Sequence, residues 1–148
     1  MIDYPNILVA FLEEFEPGYE FERWPHHVTI LPWFKADKEA LSSIEQIASG
    51  HLPITVELGK TAMFGARNDI LVRLVESDPL QKFHRALLSG RKGLLGLINS
   101  SYSGDNFRPH VTLQGQNDPE SRTITIKRLA LVKHIGPGKL KRVESLYK

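Results

Sequence analysis

The chain has 148 residues, a length that favours a single domain over residues 1–148 with an apolar core of its own. Its hydrophobic content of 41% and charged content of 24% are ordinary for a globular protein, which excludes a largely disordered chain. The absence of cysteine excludes disulfide bonds, thiolate metal sites and a thiol nucleophile.

Charge is unevenly distributed about the net value of +2. Residues 1–74 carry 6 Lys and Arg against 11 Asp and Glu (−5), and residues 75–148 carry 13 against 6 (+7). Solvated surface is the simpler interpretation, and a basic wall for a phosphate-bearing ligand is the alternative. The N-terminal apolar run is too short to cross a bilayer and has no basic leader. We therefore expect a cytosolic monomer without a membrane partner.

Periodicity along the chain predicts both strands and helices. Strands are predicted over 6–12, 26–33, 53–64, 69–75, 107–114, 123–135 and 141–148. An apolar stripe at helical spacing predicts a helix over 37–49, with Asp37 as its N-cap and Gly50 at its C-terminal end. A second helix is predicted from Asp78 and Pro79, a favourable N-cap and first-turn pair. Residues 90–104 have the pattern of a helix end and a loop.

The order of these elements predicts an α+β fold in which helices pack outside two antiparallel sheets. Each half of the chain supplies a helix and a strand, and both strands contain the tripeptide His-Val-Thr. The tripeptide occupies 27–29 in HHVTILPWF and 110–112 in FRPHVTL.

The two tripeptides place matched polar groups on their strands. Residues i and i+2 of a strand share a face, so His27 and Thr29 point one way, and His110 and Thr112 do the same. The valine between them points to the core. If the two strands are neighbours, two imidazoles and two hydroxyls converge on one cleft.

Two imidazoles on one cleft can move protons in both directions near neutral pH. For a cyclic phosphodiester, a neutral imidazole would take a proton from attacking water, and an imidazolium would give one to the departing ribose oxygen. Threonine hydroxyls would hold the non-bridging oxygens. This chemistry requires no metal or cofactor, and the sequence has neither HExxH nor clustered carboxylates beside the histidines.

The other histidines are interpreted as structural. His26 would lie on the strand face opposite His27, as a partly buried and hydrogen-bonded side chain. His51 follows the predicted helix end and is expected at the surface. His84 and His134 have no hydroxyl two residues further on, so no chemical role is expected for them.

Two further residues are candidates for substrate binding. Phe64 could stack on a nucleobase, with core packing as the alternative. Arg67, in the turn-forming GARND, could reach a phosphate, as could Arg108 and Lys133. Surface charge is the alternative for each of these basic residues.

The paired motifs resemble those of the 2H phosphoesterase superfamily. HHVTILPWF resembles its first motif and FRPHVTL its second, and MFG at 63–65 is a further point of similarity. The most similar branch is the small bacterial "2′-5′ RNA ligase"-like cyclic phosphodiesterases. The sequence departs from the family pattern at Trp33, where a proline often precedes the aromatic residue, and at His26, which directly precedes the motif.

The resemblance implies two pseudo-symmetric antiparallel lobes around a central groove. It implies that His27 and His110 are catalytic and that Thr29 and Thr112 bind phosphate. The implied activity is metal-independent hydrolysis of a 2′,3′-cyclic phosphate on RNA ends or nucleotides, leaving a 2′-phosphate. By this resemblance His27 is the general acid and His110 the general base, although the near-symmetry of the two motifs leaves the opposite assignment open. The reverse reaction, 2′-5′ ligation, would exchange these roles. A non-catalytic RNA-end or nucleotide-binding module on the same fold is the alternative.

Overall fold

The computed structural model describes residues 6–89, 94–97, 107–113 and 117–148, with only the backbone strand described over 94–97. The strands in these ranges are β1 (Asn6–Phe11), β2 (Glu20–Phe21), β3 (His27–Ala36), β4 (Ile54–Phe64), β5 (Ile70–Glu76), β6 (Leu94–Leu97), β7 (His110–Thr112), β8 (Thr123–Ile126), β9 (Leu129–His134) and β10 (Lys141–Tyr147). The helices are α1 (Lys38–His51) and α2 (Asp78–Ser89). The rest of the predicted 90–104 loop and the predicted strand end at Gln114 lie outside the described residues.

The described strands form one antiparallel sheet in the order β2-β10-β9-β1-β3-β7-β5-β4-β8, and β6 pairs with the end of β3. We call β2, β10, β9, β1 and β3 the first lobe, and β7, β5, β4 and β8 the second lobe. The lobes meet where β3 and β7 pair, and the described ladder there contains the single pair Val28 with Val111. The predicted α+β fold is confirmed, and its two lobes are hydrogen-bonded into one continuous sheet.

Both helices pack on the same face of this sheet. The main core lies between them and the strands, and it includes Ile44 of α1 and Phe83 of α2. Along β1 the side chains alternate, because Leu8 joins this core while Val9 joins a smaller apolar cluster on the opposite face. That smaller cluster consists of Ile7, Val9, Phe21, Ala130, Val132 and Val143. Val28 belongs to the main core, so its neighbours in β3 face away from the helices.

The helix ends follow local chemistry with two corrections. Asp37 caps α1 as predicted, since its carboxylate accepts the Ala40 N–H at 2.9 Å. Gly50 does not end α1, which continues to His51; Leu52 precedes a proline, and the clash with the proline ring pushes it out of the helical region. The cap of α2 is Ser77, whose hydroxyl accepts the Leu80 N–H at 3.1 Å, and not the predicted Asp78.

The predicted strand over 123–135 is two strands that belong to different lobes. β8 pairs with β4 in the second lobe, and β9 pairs with β1 and β10 in the first. The sequence carries this difference, because TITI alternates polar and apolar residues whereas LALV is apolar throughout. Alternation is typical of an edge strand with one solvated face, and a continuous apolar run is typical of a strand buried on both faces.

Two short strands were missed by the sequence pattern. β6 lies where a loop was predicted, and it pairs with the end of β3 through Leu97 and Leu94. β2 has only two residues and pairs with β10 at the edge of the first lobe. β2 is too short to show an alternation of polar and apolar residues, and the LLGL sequence of β6 contains no polar residue that could alternate. None of the helices in the described ranges is long and apolar enough to span a membrane.

Candidate active site

The two His-Val-Thr tripeptides lie side by side at the junction of the lobes. β3 and β7 run antiparallel with Val28 opposite Val111, a register that places His27 beside Thr112 and Thr29 beside His110. Both valines are buried in the core, so the four polar residues share the opposite face. The structure therefore brings all four predicted site residues together, with each imidazole next to the hydroxyl of the other motif.

The two imidazoles are held by the same backbone contact. Nδ1 of His27 lies 2.8 Å from the carbonyl oxygen of Pro25, and Nδ1 of His110 lies 2.8 Å from that of Arg108. A carbonyl only accepts, so each Nδ1 carries the proton and donates it two residues back along the chain. This fixes the tautomer in which Nε2 is the atom that can accept a proton from, or as imidazolium donate one to, a ligand.

His27 lies among aromatic side chains of the first lobe. The Trp24 ring is 4.2 Å from the imidazole, centroid to centroid, and the Phe11 ring meets it edge-on at 6.3 Å. The Lys141 ammonium of β10 lies over the Trp24 ring, 5.5 Å from the indole centroid. This lysine is buried and donates to the Glu22 carbonyl oxygen at 2.9 Å, which ties β10 to the segment leading into β3.

Among the described residues, Phe64 and Arg108 lie beside His110. The Phe64 ring meets the imidazole edge-on at 4.6 Å, and the Arg108 guanidinium lies 4.7 Å above the Phe64 ring centroid. Phe64 is 7% exposed, so a ring predicted as a stacking platform is mostly covered. The Arg108 side chain, which lies over the Phe64 ring, is exposed.

A cleft of about 310 Å³ opens beside His110 between the two lobes. Thr29, His110 and Thr112 lie at its polar end. Its walls are mostly apolar: Ile7, Pro32 and Trp33 come from the first lobe, and Phe64, Ile70 and Phe107 line the other side. A small number of polar groups at one end of an apolar cavity is the usual construction of a site for a small ligand.

Burial makes both imidazoles weak bases. It lowers the pKa of His27 from 6.5 to about 4, opposed by the hydrogen bond to Pro25 and reinforced by the nearby charges of His110, His26 and Lys141. Burial also lowers the pKa of His110, which the Arg108 carbonyl opposes. Both rings are therefore mostly neutral at pH 7 in the unliganded protein. An anion bound between them would raise both pKa values, because it favours the imidazolium form.

The turn between β4 and β5 forms one edge of the cleft. Gly65 and Ile70 line the cleft, and Arg67 is exposed in the turn that joins them. Gly65 has φ +93°, and a Cβ there would stand 3.0 Å from Cδ1 of Ile70, so glycine suits this position both by conformation and by space. Arg67 does not itself line the cleft, and its role as a phosphate contact stays a prediction.

The other histidines lie outside the site. His26 precedes β3 and borders a separate groove with Leu12 and Glu13; its buried Nε2 has no hydrogen-bond partner in the described chain, unlike the hydrogen-bonded side chain we predicted. His51 is exposed at the end of α1. His134 contacts the Gly138 carbonyl oxygen at 2.6 Å in the β9–β10 loop.

Sequence reasoning missed the residues that surround the imidazoles. Trp24 and Lys141 have no pattern that would single them out, and Lys141 is 114 positions from His27. Three arginines of the basic C-terminal half form ion pairs and do not line the cleft. Arg122, Arg128 and Arg142 pair with Asp118, Glu16 and Glu144. In the described ranges no three His, Asp or Glu side chains are grouped so that they could hold a metal ion.

Comparison with known proteins gives one matching family model and several solved structures with a similar fold. A protein-family model described as the 2′-5′ RNA ligase superfamily matches residues 8–141. A crystal structure described as a phosphoesterase is 12% identical, covers 99% of this chain and 98% of its own, and has a TM-score of 0.61. E. coli LigT, solved in complex with 3′-AMP, is 13% identical over 97% of both chains with a TM-score of 0.59.

A third similar structure is TT0787 of Thermus thermophilus, which is 17% identical over 97% of this chain and 96% of its own, with a TM-score of 0.59. A search of curated proteins gives no match. At such low identities these structural likenesses show the fold alone, and the family match rests on residues 8–141.

Proposed function

The chain belongs to the 2′-5′ RNA ligase superfamily, and on that premise we propose that it hydrolyses a 2′,3′-cyclic phosphate on an RNA end or nucleotide to a 2′-phosphate without a metal ion. One observation carries the proposal: two imidazoles, each donating Nδ1–H to the carbonyl two residues back, face the same surface beside two threonines. A binding site alone would not need two imidazoles with matched tautomers.

The reaction needs one neutral and one protonated imidazole. Nε2 of the neutral ring accepts a proton from water while the water oxygen attacks phosphorus. The bond from phosphorus to the ribose O3′ breaks on the opposite side, and Nε2–H of the imidazolium gives its proton to that oxygen. The Thr29 and Thr112 hydroxyls donate to the non-bridging oxygens, whose negative charge grows in the transition state.

Binding of the phosphate favours protonation of an imidazole. Because both pKa values are lowered, the unliganded site lacks an imidazolium at pH 7. The cyclic phosphate is an anion, and its binding raises the pKa of both rings, so that a proton is taken up with the substrate. From the family resemblance we assign the acid role to His27 and the base role to His110. His27 is the more enclosed ring, so this assignment requires that its proton arrives with the phosphate.

The apolar cleft beside His110 suits the nucleoside part of the substrate. Trp33 and Ile70 offer apolar contact from its two sides, and Arg108 presents a flat guanidinium above Phe64. A base can stack on an aromatic ring or on a guanidinium plane, in each case without reading its sequence. We therefore expect a base to contact Trp33 and Arg108, and Phe64 to support Arg108 from below.

The test is turnover of 2′,3′-cyclic AMP and 2′,3′-cyclic CMP with and without EDTA, with the phosphate position in the product read by ³¹P NMR. We expect a 2′-phosphate at the same rate under both conditions. Loss of activity with EDTA that a divalent ion restores would indicate a metallohydrolase. Tight binding of cyclic nucleotides or RNA ends without turnover would instead support the non-catalytic binding module.

A further inference from the structure

The junction between the lobes contains little hydrogen bonding of its own. β3 pairs with β1 over most of the length of β1, and β7 pairs with β5 at three positions, but the described ladder between β3 and β7 is one residue pair. The catalytic arrangement depends on this junction, because one motif lies on each strand. Other contacts must therefore fix the position of one motif relative to the other.

From the helix side of the sheet, His84 contacts the first motif strand and the segment that leads into the second. It is fully buried on α2, and its Nδ1 lies 2.8 Å from the carbonyl oxygen of Ile30, the residue after Thr29. Its ring stacks on Phe107, three residues before His110, with centroids 3.8 Å apart and planes 10° from parallel. One side chain thus contacts the backbone of the first motif strand and the approach to the second.

A neighbouring residue of α2 supports the same segment. Gln81 lies one turn before His84, and its Nε2 donates to the Phe107 carbonyl oxygen at 3.0 Å. Phe107 is therefore held by a ring on its face and by an amide on its backbone, both from α2. The Arg108 carbonyl that orients His110 is the next peptide along the chain.

An imidazole at this position is not explained by core packing alone. Burial lowers the pKa of His84, which shows that the protein must keep the ring neutral in an apolar environment. A leucine or phenylalanine would fill the space without the cost of desolvating a polar ring. The imidazole offers two contacts in one rigid group: an N–H for the Ile30 carbonyl and a flat face for Phe107.

We propose that His84 is a positioning residue that sets the two His-Val-Thr motifs at the spacing the reaction needs. It does not touch the substrate and acts through Ile30 and Phe107. The kinetic part of this inference rests on the proposed function. A misplacement of about 1 Å at a catalytic group costs about 10²-fold in rate, so small shifts at the junction are sufficient for a measurable effect.

Two substitutions separate the contacts of His84. His84→Asn keeps an N–H near the position of Nδ1 and loses the ring, whereas His84→Phe keeps the ring and loses the donor. We expect each to lower kcat on 2′,3′-cyclic AMP by about 10- to 100-fold while KM changes much less, since alignment acts mainly on the transition state. Added to His110→Ala, either change should have little further effect, because the group that it aligns is already absent.

His51 provides a matched control. Its ring also stacks on an aromatic side chain, that of Phe83 at 5.2 Å, and its Nδ1 also contacts a backbone carbonyl, that of Ile47 at 2.9 Å. It lies at the exposed end of α1, away from the motif strands. His51→Asn and His51→Phe should therefore keep the wild-type kcat.

A second readout does not depend on turnover. Inorganic phosphate is titrated into the protein while the His27 and His110 ring protons are followed by NMR. In the wild type both rings should respond along one binding curve, and in the His84 variants the two responses should separate. If no cyclic nucleotide is hydrolysed by the wild type, this titration still tests the positioning role.

The inference is overturned if both His84 variants keep the wild-type kcat and phosphate response while only their melting temperature falls. If they fail to fold, Gln81→Met tests the neighbouring contact between α2 and Phe107, because Gln81 is only half-buried and the change removes its bond to the Phe107 carbonyl oxygen. Wild-type kinetics and phosphate binding in that variant would equally refute a positioning role for α2.

Discussion

The two half-sites share a tripeptide and a backbone anchor, but their surroundings differ. His27 lies beside the rings of Trp24 and Phe11, and the buried Lys141 lies over the Trp24 ring. His110 borders an open cleft and has Arg108 and Phe64 as neighbours. The repeated motif therefore fixes where each imidazole points, and the neighbouring side chains set how readily it is protonated.

The largest expected effect is the loss of either imidazole. His27→Ala and His110→Ala should each lower kcat on a 2′,3′-cyclic nucleotide by about 10²–10⁴-fold, the usual contribution of a general acid or base. The double variant should be little worse than the poorer single one, because the two rings act together. Steady-state kinetics with His26→Ala as control test this. Wild-type activity in both single variants and its loss in His26→Ala would show that the motif register is wrong.

A substrate with a better leaving group should distinguish the two halves. Bis(p-nitrophenyl) phosphate releases a phenolate that does not need a proton, so the variant without the general acid should be rescued. We expect the defect of His27→Ala to be smaller by about 10-fold or more on this ester, and that of His110→Ala to persist. Rescue of His110→Ala instead would exchange the two roles, as the low pKa of His27 in the unliganded protein would favour.

The threonines should contribute less than the imidazoles. Thr29→Ala and Thr112→Ala should each cost at most about 2.7–4 kcal/mol of transition-state stabilisation, the scale of one lost oxyanion donor. Thr29→Ser and Thr112→Ser keep the hydroxyl and should retain most activity. Equal losses for alanine and serine would mean that the methyl group, and not the hydroxyl, is what each position needs.

Acid should destabilise the protein through its buried imidazoles. The unfolded chain binds more protons than the folded one between pH 6.5 and about 4, so the free energy of unfolding falls as the pH falls through this window. His27 contributes at most about 3 kcal/mol of this loss. Urea denaturation of wild type and His27→Gln at several pH values measures the difference. An unchanged pH dependence in His27→Gln would mean that His27 is not desolvated.

The smallest expected effect concerns the charge behind His27. Lys141 lowers the pKa of His27, so Lys141→Met should raise it, and Lys141→Arg should keep it low. The limb of the pH profile of kcat/KM that reports His27 in the free protein should move to higher pH in the methionine variant. A profile that does not move while kcat falls would assign Lys141 to holding the backbone at Glu22 rather than to the charge of the site.

The sequence was sufficient for what depends on local pattern. Alternation along each motif places His27 and Thr29 on one face and Val28 in the core, and this needs no knowledge of the partner strand. The same rule, applied more closely, would have separated β8 from β9. In contrast, Lys141 comes near His27 through the pairing of β10 with β2, a contact that no local pattern encodes.

The contacts of His84 are a second feature that the local sequence pattern does not predict. The sequence places His84 within a predicted helix, and the structure shows that it lies on the buried face of α2. That it has no chemical role of its own stays a prediction. Its contact with Ile30 joins residues 54 positions apart, and it depends on how α2 packs across the junction. Helix packing against a sheet is decided by the whole core, so spacing along the chain carries no signal for it.

The assignment of β9 to the first lobe has a consequence for how the chain matures. The second lobe is assembled largely from the middle of the sequence, whereas β1 pairs with β9 through Leu8 and Leu131, 123 residues apart. Such a distant pairing is slow to form, and during synthesis it must wait until β9 has left the ribosome. The histidine that is translated first therefore belongs to the half-site that is completed last. Truncated products released before β9 would contain His27 but would lack β9 and β10, and with them the Lys141 side chain near His27.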